Sequence, residues 1–249
     1  MKENHSIQAK KYLDGKLNMN INSALFRRLI LGAMWNTFFL GCLLFVFAWR
    51  LDWARAWVLL GILFLGSLFS IYGLRNHDEL LKERLKLPWQ AGQPLLDKIL
   101  VTLLLISFIG LFIFIPLDVF YWHIFAKPHP ATAFLGLGLF GLGWGMIYLT
   151  FKENAFAAPV VRIQKERNQK VIETGIYRFI RHPMYAGVIL YLVGITFWLE
   201  SYAAALLVLL PLAILALRIV FEERFLRSNL SGYEAYTKKV KYRLIPYIW

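Results

Sequence analysis

Runs of apolar residues without a charged side chain constrain this chain more than any other feature. A helix that crosses a bilayer needs about 20 predominantly apolar residues. Four uninterrupted runs have that length, and two shorter runs flank a lone charge, Glu200, in a predicted hairpin. The six runs are Leu29–Trp49, Ala56–Leu74, Ile99–Leu117, Ala131–Phe151, Met184–Leu199 and Ser201–Leu217. Their lengths favour helices over the ~9–11-residue strands of a membrane barrel. The sequence therefore predicts an all-α, polytopic membrane bundle of about six spans.

Composition excludes several other classes of protein. Hydrophobic residues make up 59% of the 249-residue chain and charged residues only 17%, whereas soluble domains average about 45–50% and about 25%. This argues against an ordinary soluble enzyme and against a disordered chain. The single cysteine, Cys42, lies in an apolar run, and the histidines lack metal-ligand spacing. We therefore predict neither an intrachain disulfide nor a metal site.

Lys and Arg residues are concentrated in every second segment between the predicted spans. Of the 28 Lys and Arg residues, 25 lie in the N-terminal tail, the 75–98 and 152–183 loops and the 218–249 segment. Short loops rich in Lys and Arg stay in the cytoplasm, so both termini are predicted to be cytoplasmic. The net charge of +13 is then a signal of topology and of contact with anionic membrane lipids, and nucleic acid is not predicted as a partner.

The apolar runs and the charged segments between them divide the chain into three parts. These are a cytoplasmic tail, 1–28, a four-span membrane region, 29–151, and a C-terminal core, 152–249, that contains a connector, a helical hairpin and a cytoplasmic tail. The first 28 residues lack a short apolar core followed by a cleavage site, so no cleaved signal peptide is expected. Because the non-membrane segments are short, any chemistry is predicted at the cytoplasmic boundary.

Polar residues concentrate at two points of the C-terminal core. Pro183 suits the first turn of the fifth span, which places Arg181 and His182 at a helix N-terminus that favours an anion. Arg218 and Glu222 are four residues apart and share one helix face, with Glu223 beside them. Taken locally, the first group is more typical of an interfacial anchor than of a ligand site, and the second is more typical of a solvated ion pair.

Five glycines crowd the fourth span. Gly136, Gly138, Gly141, Gly143 and Gly145 have no strand–turn–helix context, so they do not indicate a dinucleotide-binding fold. They predict close helix–helix packing instead.

Five motifs in order resemble the membrane-embedded isoprenylcysteine carboxyl methyltransferase and phospholipid methyltransferase superfamily. They are Val-Arg-Ile-Gln at 161–164, Gly-x-Tyr-x-x-x-Arg-His-Pro-x-Tyr-x-Gly at 175–187, Glu-Glu-x-x-Leu at 222–226, Gly-Tyr-x-x-Tyr at 232–236 and Tyr-Arg-Leu-Ile-Pro at 242–246. The 78–84 stretch is similar to a bacterial branch of this group, which implies a bacterial inner membrane. The resemblance covers about residues 150–249.

The resemblance implies a methyltransferase that uses S-adenosylmethionine (SAM). The residues that it places at the cofactor are Gln164, Gln169, Val171, Ile172, Tyr177, His182, Pro183, Met184, Tyr185 and Glu222. Arg218 matches the position that faces the substrate carboxylate in the prenylcysteine enzymes. Gln169 departs from the pattern, because those enzymes commonly carry His there.

The acceptor implied is a lipid-like amphiphile that enters laterally from the membrane, with O-methylation of an isoprenylcysteine-like carboxylate favoured. A carboxylate is already ionised at neutral pH and suits the guanidinium of Arg218. An amine, as in phospholipid N-methylation, would need a base such as Glu223 or His182. A NADPH-dependent lipid reductase and a transporter or structural membrane protein are the alternatives. No obligate protein partner is inferred.

Overall fold

The chain folds into helices joined by loops and short turns. This computed structural model describes the backbone of residues 2–249 and the side chains of residues 23–249, and the described backbone contains no strand. The helices are α1 (Lys2–Ala48), α2 (Ala54–Gly73), α3 (Asp78–Arg84), α4 (Leu95–Leu117), α5 (Pro130–Glu153), α6 (Pro183–Trp198), α7 (Tyr202–Leu207), α8 (Leu209–Asn229) and α9 (Tyr233–Lys239).

Five helical segments are long and apolar enough to cross a membrane. They are Ser23–Ala48, Ala54–Gly73, Leu95–Trp122, Pro130–Glu153 and Tyr202–Asn229, while α6 is apolar but shorter, at 16 residues. The predicted all-α membrane fold is therefore confirmed. The count of six spans and the cytoplasmic placement of the termini stay predictions. Most of the predicted tail, 1–28, lies outside the residues whose side chains are described.

Contacts between helix ends show that the long helices alternate in direction. Arg55 pairs with Glu200 at 3.1 Å, and Ser201 donates a hydrogen bond to Asp118, so the loops after α1, α4 and α6 meet at one end of the bundle. At the other end, Arg162 in the connector between α5 and α6 pairs with Glu83 of α3 at 3.0 Å. These two ends group the loops in the same way as the distribution of positive charge.

Glycine lets α5 and α6 pack backbone against backbone. A Cβ added at Gly136 would lie 2.7 Å from the carbonyl oxygen of Gly194, and one added at Gly143 would lie 2.5 Å from that of Gly187. Predicted close packing is thus confirmed for two of the five glycines. Gly138, Gly141 and Gly145 face open space. The contact fixes the position of α6, whose first turn carries Tyr185 and directly follows His182.

We expect Gly143→Ala to destabilise the protein and Gly138→Ala to leave it nearly unchanged. Overpacking a tight contact costs about 1–3 kcal/mol, and the upper part of that range applies because the atoms opposite Gly143 belong to the backbone and cannot rotate away. Thermal unfolding in detergent measures the difference. Equal melting temperatures for the two variants would contradict the packing described here.

Candidate active site

A cavity of about 120 Å³ lies between the connector, the first turn of α6 and the final third of α8. Nine of the ten residues that the resemblance placed at a cofactor line it. They are Gln169, Val171, Ile172, Tyr177, His182, Pro183, Met184, Tyr185 and Glu222. The structure thus brings together residues from three separate stretches of sequence.

Glu222 and Tyr185 form the polar centre of this cavity. The Tyr185 hydroxyl donates a hydrogen bond to Oε2 of Glu222 at 2.6 Å, and its ring stacks on the His182 imidazole with centroids 5.5 Å apart. The proline at the first position of α6 sets this geometry, since it begins the helix directly after His182. Glu222 makes no other hydrogen bond or ion pair among the described side chains, which leaves oxygen lone pairs for a ligand.

Glu223 points away from the cavity into a buried ion cluster. Its side chain is 3% exposed and accepts hydrogen bonds from Nε of Arg181 at 2.6 Å and Nε of Arg243 at 3.0 Å. Nε2 of His182 lies 3.3 Å away. Glu223 therefore ties α8 to the start of α6 and to the C-terminal segment. Predicted as a catalytic residue, it does not line the cavity.

Arg218 is held by a carboxylate that the sequence analysis did not select. Its Nε donates to Asp97 at 2.9 Å and its Nη2 to the Pro159 carbonyl at 2.9 Å. Asp97 is fully buried and also accepts from Gln93 and from the backbone N–H of Val161. The guanidinium carbon of Arg218 lies 5.7 Å from the centre of the Tyr185 ring, so Arg218 borders the site without lining the cavity.

Gln164 orders the connector through hydrogen bonds but does not line the cavity. It is 1% exposed, its Nε2 donates to the Phe156 carbonyl at 2.8 Å and its Oε1 accepts from Arg167. The backbone N–H of Gln164 donates to Oε1 of Gln169 at 2.8 Å. Gln164 thus orders the loop that carries Gln169, whereas Gln169 itself reaches the cavity.

Three tyrosines outside the spans surround the cavity with neutral phenols. Burial raises the pKa of Tyr177, Tyr233 and Tyr236, and for Tyr177 the nearby Glu222 raises the pKa further. Asn154 donates to the Tyr177 hydroxyl at 2.9 Å, and the Tyr236 hydroxyl donates to the Tyr177 carbonyl at 2.8 Å. Tyr233 and Tyr236 were part of a motif but not of the predicted site. The spacing of the two tyrosines in that motif, Gly-Tyr-x-x-Tyr, is the sequence signal that could have identified them as site residues.

The chemistry of the lining suits a polar organic ligand that carries both charges and an apolar part. It combines the Glu222 carboxylate with the cations Arg162, Lys170 and Arg181, with aromatic rings and with aliphatic side chains. The volume is below the range of about 300–1,000 Å³ that is usual for small-molecule sites, so a whole nucleoside ligand would extend past the cavity or displace the connector. Among the described side chains, no three His, Cys, Asp or Glu groups lie together in an arrangement that could hold a metal ion.

The fold and this site define a helical membrane protein with a small-molecule site at one end of its bundle. Residues 131–231 match the phospholipid methyltransferase family. Over 83 residues, 32% of the chain, the sequence is 37% identical to a probable protein-S-isoprenylcysteine O-methyltransferase of Oryza sativa subsp. indica and 32% identical to a protein-S-isoprenylcysteine O-methyltransferase of Schizosaccharomyces pombe.

The alignments cover 44% of the rice protein and 35% of the yeast protein, less than half of each relative's length. The C-terminal region of the chain is similar to the superfamily that its motifs resemble, and the predicted resemblance is confirmed. The assignment to a bacterial branch stays a prediction.

Proposed function

We propose that the protein is a SAM-dependent methyltransferase that acts on a lipid-like acceptor at the membrane boundary. The observation that carries the proposal is the convergence of nine motif residues on one cavity beside the Tyr185–Glu222 hydrogen bond. The names of the relatives support methyl transfer, and the apolar helices support an integral membrane protein. We place the site on the cytoplasmic side of the membrane because the flanking loops carry most of the positive charge. The resemblance of the 78–84 stretch to a bacterial branch is the basis for assigning it to a bacterial inner membrane.

The residues present fit SAM in chemistry. Glu222 has oxygen lone pairs free to accept hydrogen bonds from the cofactor's amino group or ribose hydroxyls. The faces of Tyr177 and Tyr185 attract a cation, and Val171 and Ile172 offer apolar contact to a base. When bound, SAM supplies a methyl group that is activated by the positive charge on sulfur.

The protein's contribution to transfer is alignment, a positioning effect. An acceptor carboxylate oxygen forms the new bond to the methyl carbon while the carbon–sulfur bond breaks, and the electron pair of that bond stays on sulfur. No proton moves, so this reaction needs no base. An amine acceptor needs one, and Glu223 is engaged by Arg181 and Arg243 outside the cavity. O-methylation of an isoprenylcysteine-like carboxylate is favoured because it needs no base.

N-methylation of a phospholipid amine is the second candidate function. The description of the matched family favours it, and His182, which lines the cavity, is the side chain positioned to accept a proton. An acceptor panel that contains both a prenylated cysteine and phosphatidylethanolamine separates the two reactions by the product that is labelled.

The test is binding of SAM and transfer of its labelled methyl group by the purified protein in detergent. We expect Glu222→Gln and Tyr185→Phe to weaken SAM binding or slow transfer about tenfold or more, the effect of losing a charge-assisted hydrogen bond. The matched control is Glu234→Gln, because Glu234 is an exposed carboxylate of the same segment. Absence of SAM binding and of transfer to either acceptor overturns the proposal. Displacement of SAM by NADPH would favour a reductase, and binding of neither cofactor a transporter or structural protein.

A further inference from the structure

Three cations line the cavity beside Glu222, and they differ in how the protein engages them. They are Arg162, Lys170 and Arg181. SAM carries an amino-acid carboxylate in addition to its positive charges, and a carboxylate removed from water is costly unless a cation or a hydrogen-bond donor meets it. Glu222, the one acidic residue among the described residues that line the cavity, repels that group. The cation that is free to pair therefore decides where the carboxylate binds.

Arg181 is already engaged by the protein. Its Nε donates a hydrogen bond to Glu223 at 2.6 Å, and its Nη1 donates to the Val240 carbonyl oxygen at 2.6 Å. The side chain is only 4% exposed. Because Glu223 offsets its charge at short distance, Arg181 offers little net attraction to a ligand.

Arg162 is paired as well. Its Nη1 donates to Glu166 at 2.7 Å and its Nη2 donates to Glu83 at 3.0 Å. The remaining donor, Nε, is buried and has no hydrogen-bond partner among the described residues, so a ligand atom would reach it only if the side chain moved. A ligand carboxylate would also meet repulsion from the two carboxylates that hold the guanidinium.

Lys170 is the remaining cation, and it has no anionic partner. It is exposed and lines the cavity, which places it at the opening. Among the described side chains it makes no hydrogen bond or ion pair. Its two neighbours hold the backbone in place, since Oε1 of Gln169 accepts the Gln164 N–H at 2.8 Å and Val171 packs against the tyrosines of α9. The lysine is thus fixed at the cavity by its backbone while its ammonium group stays free to bind.

We propose that Lys170 binds the carboxylate of the cofactor and so directs the amino-acid end of SAM toward the connector. This inference rests on the proposed function and adds a binding residue to it. The resemblance assigns a role to Gln169 and Val171 but none to Lys170. A compact ammonium on a flexible stem can follow a carboxylate at an opening, and no contact within the protein has to break for it to do so.

The test compares binding of SAM and of decarboxylated SAM, which lacks only the carboxylate, to the full-length protein in detergent without an acceptor. We expect the wild type to bind SAM about fivefold more tightly, the size of an ion pair at an exposed position. Lys170→Gln should bind the two ligands equally, and Lys170→Arg should keep most of the preference because it keeps the charge.

The matched control is Lys165→Gln. Lys165 is an exposed cation of the same connector, but it does not line the cavity, so its loss should leave the preference for SAM intact. Equal binding of the two ligands by the wild type, or an unchanged preference in Lys170→Gln, overturns the proposal. A preference that Lys165→Gln loses to the same extent overturns it too, because the effect would then come from the general positive charge of the connector.

Ionic strength provides a second measurement, which a purely structural role of Lys170 would not affect. Salt screens exposed charges, because the Debye length falls from about 10 Å at 0.1 M to about 3 Å at 1 M. The wild-type preference for SAM should shrink over that range, and the ratio of the two affinities in Lys170→Gln should change much less. A wild-type preference that does not depend on salt would contradict an ion pair at the opening.

The two proposals fail separately in these measurements. If SAM binds and methyl transfer proceeds but the ratio of affinities does not depend on Lys170, only the assignment of the carboxylate is overturned. If the wild type binds neither SAM nor decarboxylated SAM and transfers no methyl group, the proposed function itself is overturned.

Discussion

Glu223→Ala is expected to lower the free energy of unfolding by about 3–5 kcal/mol, the cost of removing one partner from a buried ion pair. The variant leaves Arg181 without its carboxylate in a setting where both side chains are less than 5% exposed. It also removes the acceptor of Arg243 and a neighbour of His182. The first turn of α6 would therefore lose its attachment to α8, and with it the geometry of the cavity.

Thermal unfolding in detergent and SAM binding measure this effect. Glu234→Ala is the control, because Glu234 pairs only on the surface, with Arg227 at 3.5 Å and Lys238 at 3.9 Å, and exposed pairs contribute about 0–1 kcal/mol. Glu223→Gln separates a positioning role from a catalytic one. A Glu223→Gln protein that is as stable as the wild type and binds SAM normally, yet transfers no methyl group, would show that Glu223 acts in the reaction itself.

Asp97→Ala is expected to have an effect of similar size, about 3–5 kcal/mol, because it leaves Arg218 buried without a counter-charge. The carboxylate is fully buried, and the same change would free Gln93 and the Val161 N–H from their acceptor. The connector is then released from α4, since its Pro159 and Val161 both depend on this cluster.

The double variant Asp97→Leu/Arg218→Met tests that explanation. Replacing a whole buried ion pair by apolar residues is often neutral or stabilising, so the double variant should recover most of the stability that Asp97→Ala loses. A double variant that is no more stable than Asp97→Ala would contradict the ion-pair account.

Local patterns predicted the helical elements well because the signals are local. The length of an apolar run determines whether a helix can span a bilayer, and the predicted run Ala131–Phe151 differs from α5 by one residue at its start and two at its end. Pro183 likewise begins α6 as predicted. The glycines of α5 predicted close packing, but only the structure distinguishes Gly136 and Gly143, which face α6, from the three that do not.

The sequence by itself determined the membrane class, the helical character and most of the residues that line the cavity beside Glu222, since these depend on composition, on apolar length and on motifs carried by short segments. Only the tertiary structure decided what Glu222 and Glu223 each do. The two are adjacent in sequence, but one faces the cavity through Tyr185 and the other is buried against Arg181.

The same holds for Asp97, which meets Arg218 across 121 positions of sequence. Partnerships of this kind depend on how distant helices pack, and no periodicity or local spacing in the chain encodes them.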